Sequence, residues 1–191
     1  MDEQVFIQQL REGDDVAFEK LIQFYSSQVL NTSVNILVSK EDAEDVSQEV
    51  FIELFRSIRN FKGDSKLSTW IYRITISKSL EFLRKKNRKK RSGFFRELFG
   101  MDDQEISVPA DFNHPGVVLE NKELSAILFC ALEKLPERQR IAFLLSKTEN
   151  LSYSEIAEVM EISVASVESL LFRAKQELQR ILEKYYEKHY K

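Results

Sequence analysis

The strongest constraint on this chain is its shortage of helix breakers: five Gly and three Pro in 191 residues. Gly and Pro cost a helix interior more than any other residues, so their scarcity suits long helices with short connections. The apolar pattern agrees. Phe18, Leu21, Ile22, Tyr25 and Val29 recur at three- and four-residue steps, the spacing of one helix face. No alternating strand pattern and no internal repeat is present. A 43% hydrophobic content fills a core and excludes a disordered chain.

Breakers cluster in one place. From Ser92-Gly93 to Gly116 lie Gly93, Gly100, Pro109, Pro115 and Gly116, with Asp102, Asp103 and Glu105. Such a stretch reads as a linker. Its Phe94, Phe95, Leu98 and Phe99 are apolar, which suits docking of part of it. The expectation is all-α: two small helical domains, 1–91 and 119–191, joined by a flexible linker, 92–118.

Local signals set the helix ends. Ser39 with Asp42 forms a capping-box signature. The helix it opens puts Ala43, Val46, Val50, Leu54 and Ile58 on one face and Asp42, Asp45, Glu49 and Arg56 on the other. Ser65 or Ser68 is expected to cap the next helix, which carries Trp70, Ile71, Ile74, Leu80 and Leu83. Leu124, Ile127, Leu128, Ala131 and Leu132 form a later helix, and Pro136 starts another as a first-turn proline. Ser152 with Glu155 is a second capping box, and the final helix runs from about Ser163 toward Tyr185.

A net charge of −3 argues against a nucleic-acid partner. Phosphate binding, however, responds to charge within about 10 Å, and the charges are segregated. Glu41, Asp42, Glu44, Asp45, Glu49 and Glu53 form an acidic tract; Arg84, Lys85, Lys86, Arg88, Lys89, Lys90 and Arg91 form a basic one. Opposite signs suggest two different partners.

Residues 152–174 read as a helix-turn-helix. Ala157 is small where the helices approach. Ile156, Met160, Ile162, Val167 and Leu170 or Leu171 supply the shared core. Ser166, Ser169, Phe172 and Arg173 face a groove, where they reach base edges or phosphate. Lys147, Lys175 and Arg180 are placed to clamp the backbone. The turn usually carries Gly, and Glu161 there costs about 1 kcal/mol in a left-handed conformation. A plain helical hairpin would show the same spacing.

In the N-terminal half, Asp45, Gln48 and Glu49 share an exposed stripe, which by itself also fits a solvated helix face. The stretch Phe61-Lys62-Gly63-Asp64-Ser65-Lys66, followed by Trp70, Tyr72 and Arg73, interleaves rings with cations. This suits single-stranded DNA, whose bases stack on rings for roughly 1–3 kcal/mol each. The alternative places Trp70, Tyr72 and Phe82 in the core, and for Trp70 it is at least as good.

Together these segments resemble the extracytoplasmic-function sigma factors of bacterial RNA polymerase. Asp42-Ala-Glu-Asp-Val-Ser-Gln-Glu-Val-Phe-Ile is similar to the family's clamp-gripping helix. Phe61 to Arg84 is similar to its promoter-melting, minus-ten segment, and 135–175 to its minus-thirty-five domain. The resemblance implies that Asp42, Asp45, Gln48 and Glu49 meet the polymerase. Phe61, Lys62, Lys66, Trp70, Tyr72, Arg73, Ser77 and Lys78 would lie at the melted strand, with Arg84, Lys85, Arg88 and Lys89 on upstream duplex. Ser166, Glu168, Ser169, Phe172, Arg173 and Lys175 would serve the second element. Ser77 stands where the family often has Asn, and Glu168 and Leu170 where it often has cations; Glu168 can instead accept from a cytosine amino group. The implied partners are core RNA polymerase, promoter DNA and an anti-sigma factor.

Two other classes stay open on the residues alone: an autonomous helix-turn-helix regulator and a helical scaffold without a DNA role. An enzyme is not expected. His114 and His189 have no metal-ligand spacing, Cys130 has no nearby His, and no phosphate-binding glycine loop occurs. No cofactor or metal is called for. The lone Cys130 fits a reducing compartment. An acidic N-terminus and the lack of a bilayer-length apolar run lead to a cytoplasmic expectation without membrane insertion.

Overall fold

The computed structural model describes residues 3–94 and 122–189. Most of the expected linker lies outside them. All described elements are helical, and the chain divides into two compact units, Met1–Lys85 and Lys86–Lys191.

The first unit is built from α1 (Glu3–Glu12), α2 (Asp15–Leu37), α3 (Lys40–Ser57), a 3-10 turn (Ile58–Asn60) and α4 (Leu67–Phe94) as far as Lys85, the unit boundary falling within that helix. Asp14 caps α2, its carboxylate accepting from the Val16 and Ala17 amides. Ser39 caps α3 as its sequence signature predicts, accepting from the Asp42 amide at 3.3 Å. Only Val38 and Ser39 separate α2 from α3, so the two pack as neighbours. The bend costs a left-handed Val38, φ 56°, unusual for a β-branched residue. Its N–H is satisfied by the Val34 carbonyl at 2.8 Å. The expected face of α3 is the buried one: Ala43, Val46, Val50, Leu54 and Ile58 are 0–3% exposed. They meet Leu21 and Val29 of α2 and Leu67 and Ile71 of α4 in one core. Each such Val, Leu or Ile side chain contributes about 1.5–3 kcal/mol on burial.

The start of α4 departs from expectation. Ser68 lies inside the helix, and Lys66 precedes its first residue. The Leu67 amide instead donates to Glu3 Oε1 of α1, 3.2 Å away and 64 positions earlier. The Arg11 guanidinium, also from α1, donates to the Phe61 carbonyl. Helix α1 thus pins both ends of the loop 62–66. The far end of α4 also differs, since the helix continues through Ser92-Gly93 to Phe94.

The second unit holds α5 (Lys122–Glu133), α6 (Glu137–Lys147), α7 (Tyr153–Met160) and α8 (Val164–His189). Pro136 occupies the cap position just before α6 rather than its first turn. Its φ of −52° suits that entry. Ile127, Leu145, Ile156 and Val167, one from each helix, are among the most completely buried side chains.

Candidate nucleic-acid interface

On α3 the residues opposite the core form a continuous outward stripe. Asp45, Gln48 and Glu49 are exposed and Asp42 is partly so. The stripe does not end with the acids. Ile52 and Phe55 continue it at 49% and 54% exposure, followed by exposed Arg56 and Arg59. Ile52, Phe55 and Arg59 are exposed but lie outside the acidic pattern. Helix spacing from Val46, Val50 and Leu54 is the signal that points them outward.

Phe61 is 6% exposed and Tyr72 9%, so both rings sit in the first unit's interior. Trp70 is half-buried and lies against Phe61, ring centroids 4.9 Å apart. Phe82 is also packed on the core. The core alternative for these aromatics therefore describes the fold, and their rings are not laid out on the surface. Lys62 and Lys66 are exposed on the loop that α1 pins. Arg73, Ser77, Arg84 and Arg88 recur at four-, seven- and four-residue steps and share one side of α4; the last three are exposed.

Lys78 and Lys85 face carboxylates. Lys78 Nζ is 2.9 Å from Glu53 of α3, with the two side chains 24% and 37% exposed. Lys85 Nζ is 2.9 Å from Glu81. That hydrogen bond and the Lys85 charge hold the Glu81 carboxyl below its usual range. Lys89 falls within α4 along the backbone, and its side chain lies outside the described residues.

The second unit contains the helix-turn-helix. Ser152 and Glu155 complete a capping box at the start of α7. Glu161 adopts the left-handed turn, φ 55° and ψ 47°, at the position where sequence marks it. Its N–H reaches the Glu158 carbonyl at 3.3 Å, and the Ile162 N–H reaches Ala157 at 3.1 Å. This is the paired closure of a Schellman turn. Ala157 is 8% exposed, leaving room for α8. Ile156, Val167 and Leu171 form the buried seam, with Leu170 only partly covered.

The exposed side of α8 carries Ser169, Phe172 and Arg173, with Phe172 62% exposed. Glu168 and Lys175 are exposed beside them. Ser166 is engaged by the helix cap: its amide donates to Ser163 Oγ at 3.2 Å and the two hydroxyls lie 2.8 Å apart. Arg180 is held by Glu177 through two hydrogen bonds. That pairing lowers the Glu177 pKa and raises that of Arg180. Among the described residues no His, Cys, Asp or Glu cluster suits a metal, and no helix is long and apolar enough to cross a membrane.

Comparison with known proteins follows the same division. Residues 21–89 match the model of sigma-70 region 2, and residues 125–178 that of sigma-70 region 4. The ECF RNA polymerase sigma-E factor of Escherichia coli K12 is 32% identical over 176 residues, covering 92% of each chain. Its Haemophilus influenzae counterpart is 32% identical over 179 residues, covering 92% of this chain and 93% of that one. Two solved structures share the fold at 20% identity. One is CnrH in complex with the cytosolic domain of CnrY, TM-score 0.67, covering 95% of this chain and 97% of that one. The other is the sigma factor RpoE with the anti-sigma factor NepR from Bartonella quintana, TM-score 0.61, covering 87% and 96%.

Proposed function

The chain belongs to the extracytoplasmic-function class of RNA polymerase sigma factors, and from that premise we propose how its residues divide the work of promoter recognition and opening. The family's task is to carry core polymerase to specific promoters, which sets aside an autonomous regulator or a scaffold. The observation that carries the residue assignment is the outward alignment of Asp45, Gln48 and Glu49 in one unit and of Ser169, Phe172 and Arg173 in the other.

The acidic stripe docks on the polymerase clamp, with Asp42 at its edge. Arg73, Ser77, Arg84 and Arg88 follow DNA along one side of α4, with Lys62 and Lys66 adding charge from the loop. Lys85 and Lys89 lie on the same basic stretch. Phe61, Trp70 and Tyr72 act first as the packed base of that surface, and Trp70, being half-buried, offers an edge to an unstacked base. Lys78 turns to phosphate only by leaving Glu53. On α8, Phe172 meets an apolar base edge such as a thymine methyl, Arg173 a guanine or phosphate, and Ser169 either. Glu168 suits a cytosine amino group, and Lys175 the backbone.

Neither unit needs to bind tightly. Joined in one chain and held on one enzyme, each raises the effective concentration of the other at the promoter. We place residues 1–91 with the minus-ten element, 92–118 as the tether and 119–191 with the minus-thirty-five element. The work is non-enzymatic and cytoplasmic. An anti-sigma factor covering the same stripes is the regulatory partner this reading calls for.

Run-off transcription with purified core polymerase on genomic promoter fragments tests the reading. Promoter-specific transcripts are expected, and Asp45→Lys/Glu49→Lys abolishes them. Transcripts that persist undiminished with that double variant would refute the assignment of the acidic stripe.

A further inference from the structure

The loop 62–66 has little packing of its own. Lys62, Gly63, Asp64 and Lys66 are exposed and Ser65 is partly so. Gly63 bends the chain at φ 83°, with open space where a side chain would begin. A segment with so few contacts takes its shape from its ends. Both end residues, Phe61 and Leu67, are buried, and both are tied to α1. The Arg11 guanidinium donates to the Phe61 carbonyl, and Glu3 Oε1 accepts from the Leu67 amide at 3.2 Å. Lys66, just before α4, has no side-chain acceptor to cap that helix, so Glu3 takes the part of the missing cap. Its carboxylate also lies favourably at the positive end of the α4 dipole. Glu3 and Arg11 are about 12 Å apart along α1, so one rigid helix holds both fastenings. The helix does not need them for its own place, because Phe6 and Leu10 are part of the first unit's core.

We infer that Glu3 and Arg11 are positioning residues for promoter opening: they hold the two ends of the loop in a fixed frame, so that Lys62 and Lys66 meet the melted strand already in place. The inference rests on the DNA role proposed for those two lysines. Neither Glu3 nor Arg11 touches the strand in this reading. Their effect passes through the backbone of Phe61 and Leu67, the two points where the loop leaves the core. A loop ordered before binding loses less freedom when the strand arrives. Without the clasp, the same cations remain on the chain but are spread over more positions. The cost therefore falls on the step that captures unpaired bases, and not on the first encounter with duplex DNA.

Holoenzyme assembled from core polymerase and the full chain, mixed with promoter DNA carrying a fluorescent base in the melted region, tests this. The dependence of the signal on holoenzyme concentration separates initial binding from the limiting rate of opening. Glu3→Ala and Arg11→Met are each expected to lower that rate by roughly three- to tenfold and to leave initial binding unchanged. Glu3→Gln keeps an acceptor for the Leu67 amide and is expected to open close to the wild-type rate, a rescue that separates the clasp from the mere charge. Gln8→Ala, on the same helix and bonded to Glu12 rather than to the loop, is expected to match wild type. Should Arg11→Met fail to fold, the comparison of Glu3→Ala with Glu3→Gln decides alone. Wild-type opening in both Glu3→Ala and Arg11→Met overturns the inference, and so does a loss confined to initial binding. Faster opening in Glu3→Ala would show a carboxylate that repels the strand, and an equal loss in Gln8→Ala would assign the effect to α1 at large; either result overturns it. Lys62→Ala/Lys66→Ala probes the reading beneath. Wild-type opening in that variant refutes the DNA role of the loop, whereas slowed opening there beside wild-type opening in the Glu3 and Arg11 variants overturns the positioning role alone.

Discussion

Replacing Glu161 with Gly isolates the energetic cost of the helix-turn-helix corner. The residue sits at φ 55° and ψ 47°, where a Cβ crowds the following carbonyl and costs roughly 1–2 kcal/mol. Glycine removes that strain but adds about 0.4–1 kcal/mol of unfolded-chain entropy. The difference is a net stabilisation of about 0.5–1 kcal/mol. In a unit of this size, about 1 kcal/mol corresponds to roughly 4–8 °C, so Tm should rise by about 2–8 °C. Glu161→Ala is the necessary comparison, because it removes any side-chain interaction and keeps the Cβ. It is expected at or below wild type. Differential scanning calorimetry of the full chain provides the measurement. The C-terminal transition is identified as the one that Leu171→Ala, at a buried seam position, lowers. If Glu161→Gly proves no more stable than Glu161→Ala, the backbone is not strained at this corner and the reasoning fails.

Other outcomes follow from the same structure. Leu54→Ala, at a fully buried position in the first unit, should cost about 2–5 kcal/mol in urea unfolding. Phe172→Ala should leave stability within about 0.5 kcal/mol, since the ring is 62% exposed, while reducing promoter-specific run-off transcription. Glu53→Gln should cost under about 1 kcal/mol, because the Lys78 pair is partly solvated, and should strengthen binding to single-stranded promoter DNA by freeing the ammonium. Burial, followed by the nearby Glu3 charge, raises the Tyr25 pKa above 10.0. Its contribution to stability is therefore present below pH 10 and lost as pH rises through the folded value. Tyrosinate absorbance of wild type against Tyr25→Phe checks this: titration of that ring at or below the ordinary value contradicts it.

Short-range chemistry was readable from the residues. Ser39 and Ser152 cap the helices their spacing announces, because a serine hydroxyl bonds an amide two or three positions away. Glu161 takes the left-handed turn because two helices must reverse there. The core face of α3 follows from apolar spacing alone. What sequence hid was long-range. Nothing near Leu67 signals that Glu3 caps α4, since the partner is 64 residues off. Nothing near Val38 announces its left-handed backbone. Phe61 and Tyr72 carry equal propensity for core and for nucleic acid, and only tertiary packing places them inside. Lys78 reads as a phosphate ligand until α3 brings Glu53 against it. Gly93 reads as a boundary, yet α4 runs past it to Phe94.

The clasp formed by α1 has a practical consequence for handling the protein. Glu3 and Arg11 secure opposite flanks of the loop from which Lys62 and Lys66 project. Trimming the chain by a few residues at its start, as an imprecise protease cut after tag removal would do, deletes one fastening of a segment lying far downstream. If Lys62 and Lys66 serve promoter DNA as proposed, a preparation damaged in that way is expected to keep its helical spectrum while opening promoters poorly.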